Sequence, residues 1–183
     1  MVINTLNIIV FTFILVSSAY AENLKTSKEH IDSVHKIAEV IERFKEKTGN
    51  YPFIENWSNV EEGYVAVPIS SNLTTRELPE EFRYPPRGVS GVVIPAKEFE
   101  KYLSNGLKEK VVLPKDDRKI RSPRGNWPFF YQYLYDGKNY FVSCFLQEKM
   151  PNTRRLGRKW YKYEVGSIAV PGKNILRYSD VKK

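Results

Sequence analysis

Cysteine is almost missing from this 183-residue chain: Cys144 stands alone. An intrachain disulfide is therefore excluded, and stability must come from an apolar core. Histidine is nearly as scarce, with only His30 and His35. Five positions apart, they lie on different faces of a helix, whereas two metal ligands at i and i+4 share one. The chain also lacks a Cys-x-x-Cys pair, a glycine-rich phosphate loop and a serine-centred elbow. These absences argue against an enzyme and leave no cofactor or metal to expect. No Lys or Arg precedes Lys25, and no Asp or Glu occurs between Lys149 and Lys159.

What is abundant is positive charge. The chain has 29 Lys and Arg against 21 Asp and Glu, a formal net charge of +8. Such an excess suits an anionic partner, such as a lipid headgroup, lipopolysaccharide or nucleic acid, but a solvated basic surface has the same composition.

The N-terminus reads as a secretory signal. An apolar run, Ile8–Val16, precedes Ser17-Ser18-Ala19-Tyr20-Ala21, where Ala19 and Ala21 fit the small-residue cleavage pattern. Spanning a bilayer takes about 20 apolar residues, more than this run supplies. The expected organisation is a signal peptide over 1–21 and a single domain over 22–183. The mature chain would begin at Glu22, with no transmembrane span after cleavage. The missing basic n-region leaves an uncleaved N-terminal anchor as the alternative. Asn56-Trp57-Ser58 and Asn72-Leu73-Thr74 match a glycosylation acceptor, but a bacterial envelope fits the chain better, with periplasmic or secreted localisation.

The clearest element is a helix. Ile31, Val34, Ile37, Ala38, Ile41 and Phe44 recur at spacings of three and four, one stripe of a helical surface. Thr26 and Glu29 have capping-box spacing, Gly49 and Asn50 suit a left-handed ending, and Pro52 cannot continue the helix. About 22 helical residues are expected. Five prolines between 68 and 95 keep the following region mostly irregular, with a short strand over Tyr64–Val67 and a turn of helix over Leu78–Phe82. A second short helix is expected over Pro95–Leu107.

The C-terminal third reads as strands. Phe129–Tyr135 and Tyr140–Leu146 flank Asp136-Gly137, a strong hairpin signal. A third strand is expected at Trp160–Val165, and Ile168–Val170 with Ile175–Tyr178 suggest a final hairpin around Pro171-Gly172. Cys144 alternates with Val142 and Leu146, which favours a buried apolar role over a reactive thiol. The aromatics Phe129, Phe130, Tyr131, Tyr133, Tyr135, Tyr140 and Phe141 could form a nucleic-acid stacking platform, but core and cross-strand pairing is the better reading. Asp116-Asp117, set among Lys115, Arg118 and Lys119, reads as a solvated loop.

A helix closing on Lys47-Thr48-Gly49-Asn50-Tyr51-Pro52, then Leu113-Pro114-Lys115-Asp116, then Ser122-Pro123-Arg124-Gly125-Asn126-Trp127-Pro128-Phe129 leading into Tyr131-Gln132-Tyr133 resembles type IV pilins. The order is closest to the soluble domain of the major pseudopilin of type II secretion. The resemblance implies an α+β fold with one long N-terminal helix packed on an antiparallel sheet of about four strands. It also implies a non-enzymatic structural or adaptor component of a secretion or pilus-type assembly, whose partners are other envelope or secretion-system proteins. Two features depart from the family. Glu22 follows an Ala21 site instead of the family's basic leader and Gly cleavage point, and the mature chain would lack the apolar half of the pilin helix, so a standard filament subunit is not expected. The region corresponding to the family's acidic calcium loop carries Arg154, Arg155 and Arg158 instead, so calcium binding is not carried over.

That basic stretch is the candidate site. Lys149, Arg154, Arg155, Arg158 and Lys159 should lie on an exposed loop and could face an anionic partner. The alternative function is accordingly a periplasmic binding module for an anionic ligand: lipid headgroup, polysaccharide or nucleic acid. An exposed apolar strip along the helix would mark the adaptor, and a pocket of convergent polar groups the binding module.

Overall fold

A computed structural model describes residues 3–53, 63–70, 90–116, 118, 130–157 and 159–181. Side chains are described for these residues except 3–25, 63–64 and 90–93. The elements run α1 (Ile3–Thr48), β1 (Gly63–Ile69), β2 (Ser90–Val93), α2 (Ala96–Leu107), β3 (Tyr131–Tyr135), β4 (Tyr140–Leu146), β5 (Arg154–Leu156), β6 (Trp160–Gly166), β7 (Ile175–Arg177) and α3 (Tyr178–Val181).

The fold is α+β, as expected, but the sheet is larger and mixed. Its seven strands follow the order β2-β1-β3-β4-β6-β5, with β7 also on β6. The β1–β2 and β6–β7 pairs are parallel and the other four antiparallel. The purely antiparallel sheet of about four strands is thus corrected. Parallel neighbours are far apart along the chain and leave no hairpin turn to read in the sequence.

α1 begins at Ile3, not at Thr26. Residues 3–25 contain no Gly or Pro, so nothing local stops a helix there, and Thr26 and Glu29 fall inside it rather than at its cap. The expected stripe packs on the sheet: Val34, Ile37, Ala38, Ile41 and Phe44 are buried and Ile31 is partly buried. Alternate residues of four strands face the core beneath the helices, with α1 over β4 and β6 and α2 over β1. They are Val65, Val67 and Ile69 on β1, Tyr131, Tyr133 and Tyr135 on β3, Tyr140, Val142, Cys144 and Leu146 on β4, and Tyr163 and Val165 on β6. The strand aromatics described here are therefore largely core; Phe129 lies outside the described residues.

α1 ends where expected. Gly49 has φ +85°, and its N–H bonds the Lys45 carbonyl at 2.8 Å, which closes the last turn. The chain after it clasps the core. Tyr51 meets Tyr140 edge-on with centroids 5.0 Å apart, and Phe53 stacks on Tyr102 at 4.5 Å and on Phe99 at 5.3 Å. Phe53 has φ 66°, a left-handed conformation unusual for an aromatic residue and retained here while its ring is buried. α2 crosses α1 closely: a Cβ on Gly106 would come within 2.2 Å of the Phe44 ring.

The β3–β4 hairpin forms as expected, with Gly137 at φ +85°. The final hairpin does not. One antiparallel bridge joins Val170 and Ile175 across a 3-10 turn at Pro171–Lys173. Residues Ile175–Arg177 then pair in parallel with Glu164–Gly166, along the edge of β6 that β5 leaves open, and Tyr178 starts α3. Among the residues whose side chains are described, no helix is long and apolar enough to cross a membrane. Leu78–Phe82, the two Asn-x-Ser/Thr patterns and Ser122–Phe129 lie outside the described residues.

Candidate functional site

The basic stretch is not one loop. Arg154–Leu156 forms β5, an edge strand on β6 with Arg154 opposite Lys162 and Arg155 opposite Tyr161. Lys149, Arg154, Arg155 and Lys159 are exposed, while Arg158 lies outside the described residues. Nor is the cluster free of carboxylates. Arg154 Nη2 lies 3.5 Å from Oε2 of Glu164, a buried carboxylate that also accepts from Lys162. Sequence distance concealed this pair, because β6 brings Glu164 back beside β5. Among the described residues, Lys149, Arg155 and Lys159 are the exposed cations of this stretch that pair with no carboxylate.

The correction changes what a charge-reversal experiment should do. Arg154→Glu would set a carboxylate beside buried Glu164 and destabilise the fold, so it cannot isolate binding. Replacing Lys149, Arg155 and Lys159 by Glu should leave the melting temperature nearly unchanged, since exposed positions shift stability by about 0.5 kcal/mol or less. If the edge binds an anion, the same variant should lose binding to anionic vesicles, and parent binding should weaken as salt rises. Vesicle co-sedimentation at two salt concentrations checks this; equal binding by parent and variant would show a solvated edge.

A second feature lies along α1. Lys28, Asp32, His35, Lys36 and Glu39, with Tyr178 and Val181 of α3, line a groove of about 510 Å³. Its floor is fixed by His35, whose Nε2 is 2.7 Å from the Tyr163 hydroxyl. Burial pushes the Tyr163 phenol up to about 12 and lowers the His35 pKa, against a smaller opposite effect from Asp32. At neutral pH both are uncharged, and the groove's charge comes from the Lys, Asp and Glu side chains.

His30 sits deeper. Its Nδ1 lies 2.6 Å from the Tyr131 hydroxyl and 4.0 Å from Asp116 Oδ2. Asp116 is buried, which corrects its reading as part of a solvated loop. Arg118 explains the burial: Nε donates to Asp116 Oδ1 at 2.8 Å, while Nη2 donates to Oδ2 and to the Phe145 carbonyl, each at 2.6 Å. A bidentate pair of this kind satisfies the carboxylate in place of water. Val111 and Leu113 are buried while Val112 is exposed. Continued, that period-two alternation would turn Lys115 inward and Asp116 outward, so no local pattern in the preceding segment marks Asp116 as buried. Asp117 lies outside the described residues.

Cys144 is buried, and burial pushes its thiol pKa up, so little thiolate is available for nucleophilic work. Among the described residues no three His, Cys, Asp or Glu side chains gather as a metal site would require. The chemistry on offer is hydrogen bonding and charge, at the β5–β6 edge and along the α1 groove. Compared with known protein families, with curated proteins and with solved structures, the chain shows no significant match to any.

Proposed function

We propose that this chain is a non-enzymatic, exported component of the bacterial envelope, acting as a structural or adaptor element of a secretion or pilus-type assembly. The observation that carries the reading is the clasp at the end of α1. α1 lies beside α2 on the tyrosine-rich sheet face, and its end is held there by Gly49, Tyr51, Pro52 and Phe53, with the Tyr133 hydroxyl reaching the Pro52 carbonyl at 3.4 Å. That handover occurs at the motif on which the resemblance to pseudopilins rests. The mixed sheet departs from the resemblance.

The apolar strip expected of an adaptor is not present on α1 between Thr26 and Thr48: the large exposed hydrophobics among the described residues are Val112 and Ile168. Adaptor contacts made by this stretch of α1 would therefore be polar. That observation also favours a second reading, a periplasmic module for an anionic ligand, which would use the polar α1 groove or the cations of the β5–β6 edge. Expression with the native N-terminus and mass measurement of the exported chain test the shared premise. A chain beginning at Glu22 in the periplasmic fraction is expected; an intact N-terminus in the membrane fraction would instead make residues 1–21 an anchor.

A further inference from the structure

His30 is in an unusual position for a titratable group. Its Nε2 is buried and has no hydrogen-bond partner among the described residues, while Nδ1 shares one contact with the Tyr131 hydroxyl. The groups around it come from four segments. Glu29 belongs to α1, Tyr131 to β3, and Asp116 and Arg118 to the segment after α2; Cys144 of β4 lies beside Tyr131, Asp116 and Arg118. The carboxylate nearest His30 within this buried set is Asp116, and Arg118 bonds both its oxygens.

A neutral imidazole can live with this arrangement, but an imidazolium cannot. Protonation makes both ring nitrogens donors: Nδ1 can then no longer accept from the Tyr131 hydroxyl, and the Nε2 N–H of a charged ring is buried with no acceptor among the described residues, a cost of about 1–3 kcal/mol or more for a charged group. It would also place a second cation beside a carboxylate already neutralised by Arg118. We propose that His30, Tyr131 and the Asp116–Arg118 pair form an acid-released latch, which holds the first sheet-packed turns of α1 and the segment after α2 onto β3. Release would uncover Ile31 and Val34, the first apolar residues of the buried stripe.

Burial and then Arg118 lower the His30 pKa below its ordinary 6.5, and the opposing pull of Asp116 and Glu29 is smaller. The unfolded chain, or the opened latch, therefore takes up a proton first as pH falls. The latch's contribution is complete above about 6.5 and is lost as pH drops from there toward the folded pKa. His35 shifts the same way, but it is only partly buried and borders the groove, so its proton can be met by solvent and by Asp32.

The test uses the full chain, with amide exchange followed by NMR from pH 7.5 to 4.5 alongside titration of both imidazoles. Exchange at residues 27–34, corrected for intrinsic chemistry, should accelerate by up to about tenfold per pH unit below 6.5, while residues 37–44 stay protected. His30→Gln should flatten that response and His35→Gln should keep it. A parent chain with a flat corrected profile, or a His30→Gln variant with an unchanged slope, would overturn the latch. Should His30→Gln fail to fold, the parent titration decides. A His30 that titrates near 6.5 with no change in the Tyr131 signals or the α1 amides also overturns it.

Discussion

Replacing Ile41 by Ala should lower the unfolding free energy by about 2–5 kcal/mol, a large share of the whole for a domain of this size. Ile41 and Ile37 are fully buried, at 0% exposure, in the layer between α1 and the sheet, so truncation leaves a cavity that packed tyrosines on β3 and β4 cannot fill without moving. Glu39, exposed on the same helix, is the control, and its change to Ala should cost a few tenths. Glu42 is not a suitable control. It accepts a 2.8 Å hydrogen bond from the buried Tyr140 hydroxyl, and its removal would strand that group. Thermal or denaturant melts of Ile41→Ala and Glu39→Ala check the ranking; equal losses would mean the face is assigned wrongly.

Asp116→Ala should cost about 3–5 kcal/mol, because it leaves the Arg118 guanidinium half-buried without its carboxylate. The penalty comes from stranding a charge rather than from the intrinsic worth of the pair. A double variant, Asp116→Leu with Arg118→Met, should therefore recover part of the loss, since apolar replacement of a buried ion pair is often nearly neutral. A double variant that is worse than the sum of the single changes would contradict this account. Denaturant unfolding of the two single variants and the double closes the cycle.

Periodicity made the local elements legible. The spacing from Ile31 to Phe44 identified the face of α1 that packs, and Gly49 with Pro52 identified its end. Asp136-Gly137 located the β3–β4 hairpin, and the alternation through Val142, Cys144 and Leu146 located the inward face of β4. What escaped notice depends on partners distant in sequence. Nothing near Ser90–Val93 signals that it will pair in parallel with Gly63–Ala66. Nothing near Arg154 announces Glu164 as its partner, and five basic residues in eleven read as a loop until β6 returns beside them. Asp116 is hidden for the same reason: its neighbours are charged, and its burial follows from where Arg118 reaches, not from local pattern. The two histidines, five positions apart on α1, each find a tyrosine on a different strand, 101 and 128 positions away, which no local spacing announces.

The most direct measurement of the proposed function is affinity purification of the tagged chain from its native envelope at native expression level, with quantitative mass spectrometry of what remains bound. A structural or adaptor role predicts a stoichiometric protein partner that survives extraction and is lost when Lys36 and Glu39, on the exposed side of α1, are reversed in charge. A chain recovered without any protein partner, carrying instead an anionic lipid or polysaccharide that the Lys149, Arg155 and Lys159 reversal removes, would contradict it.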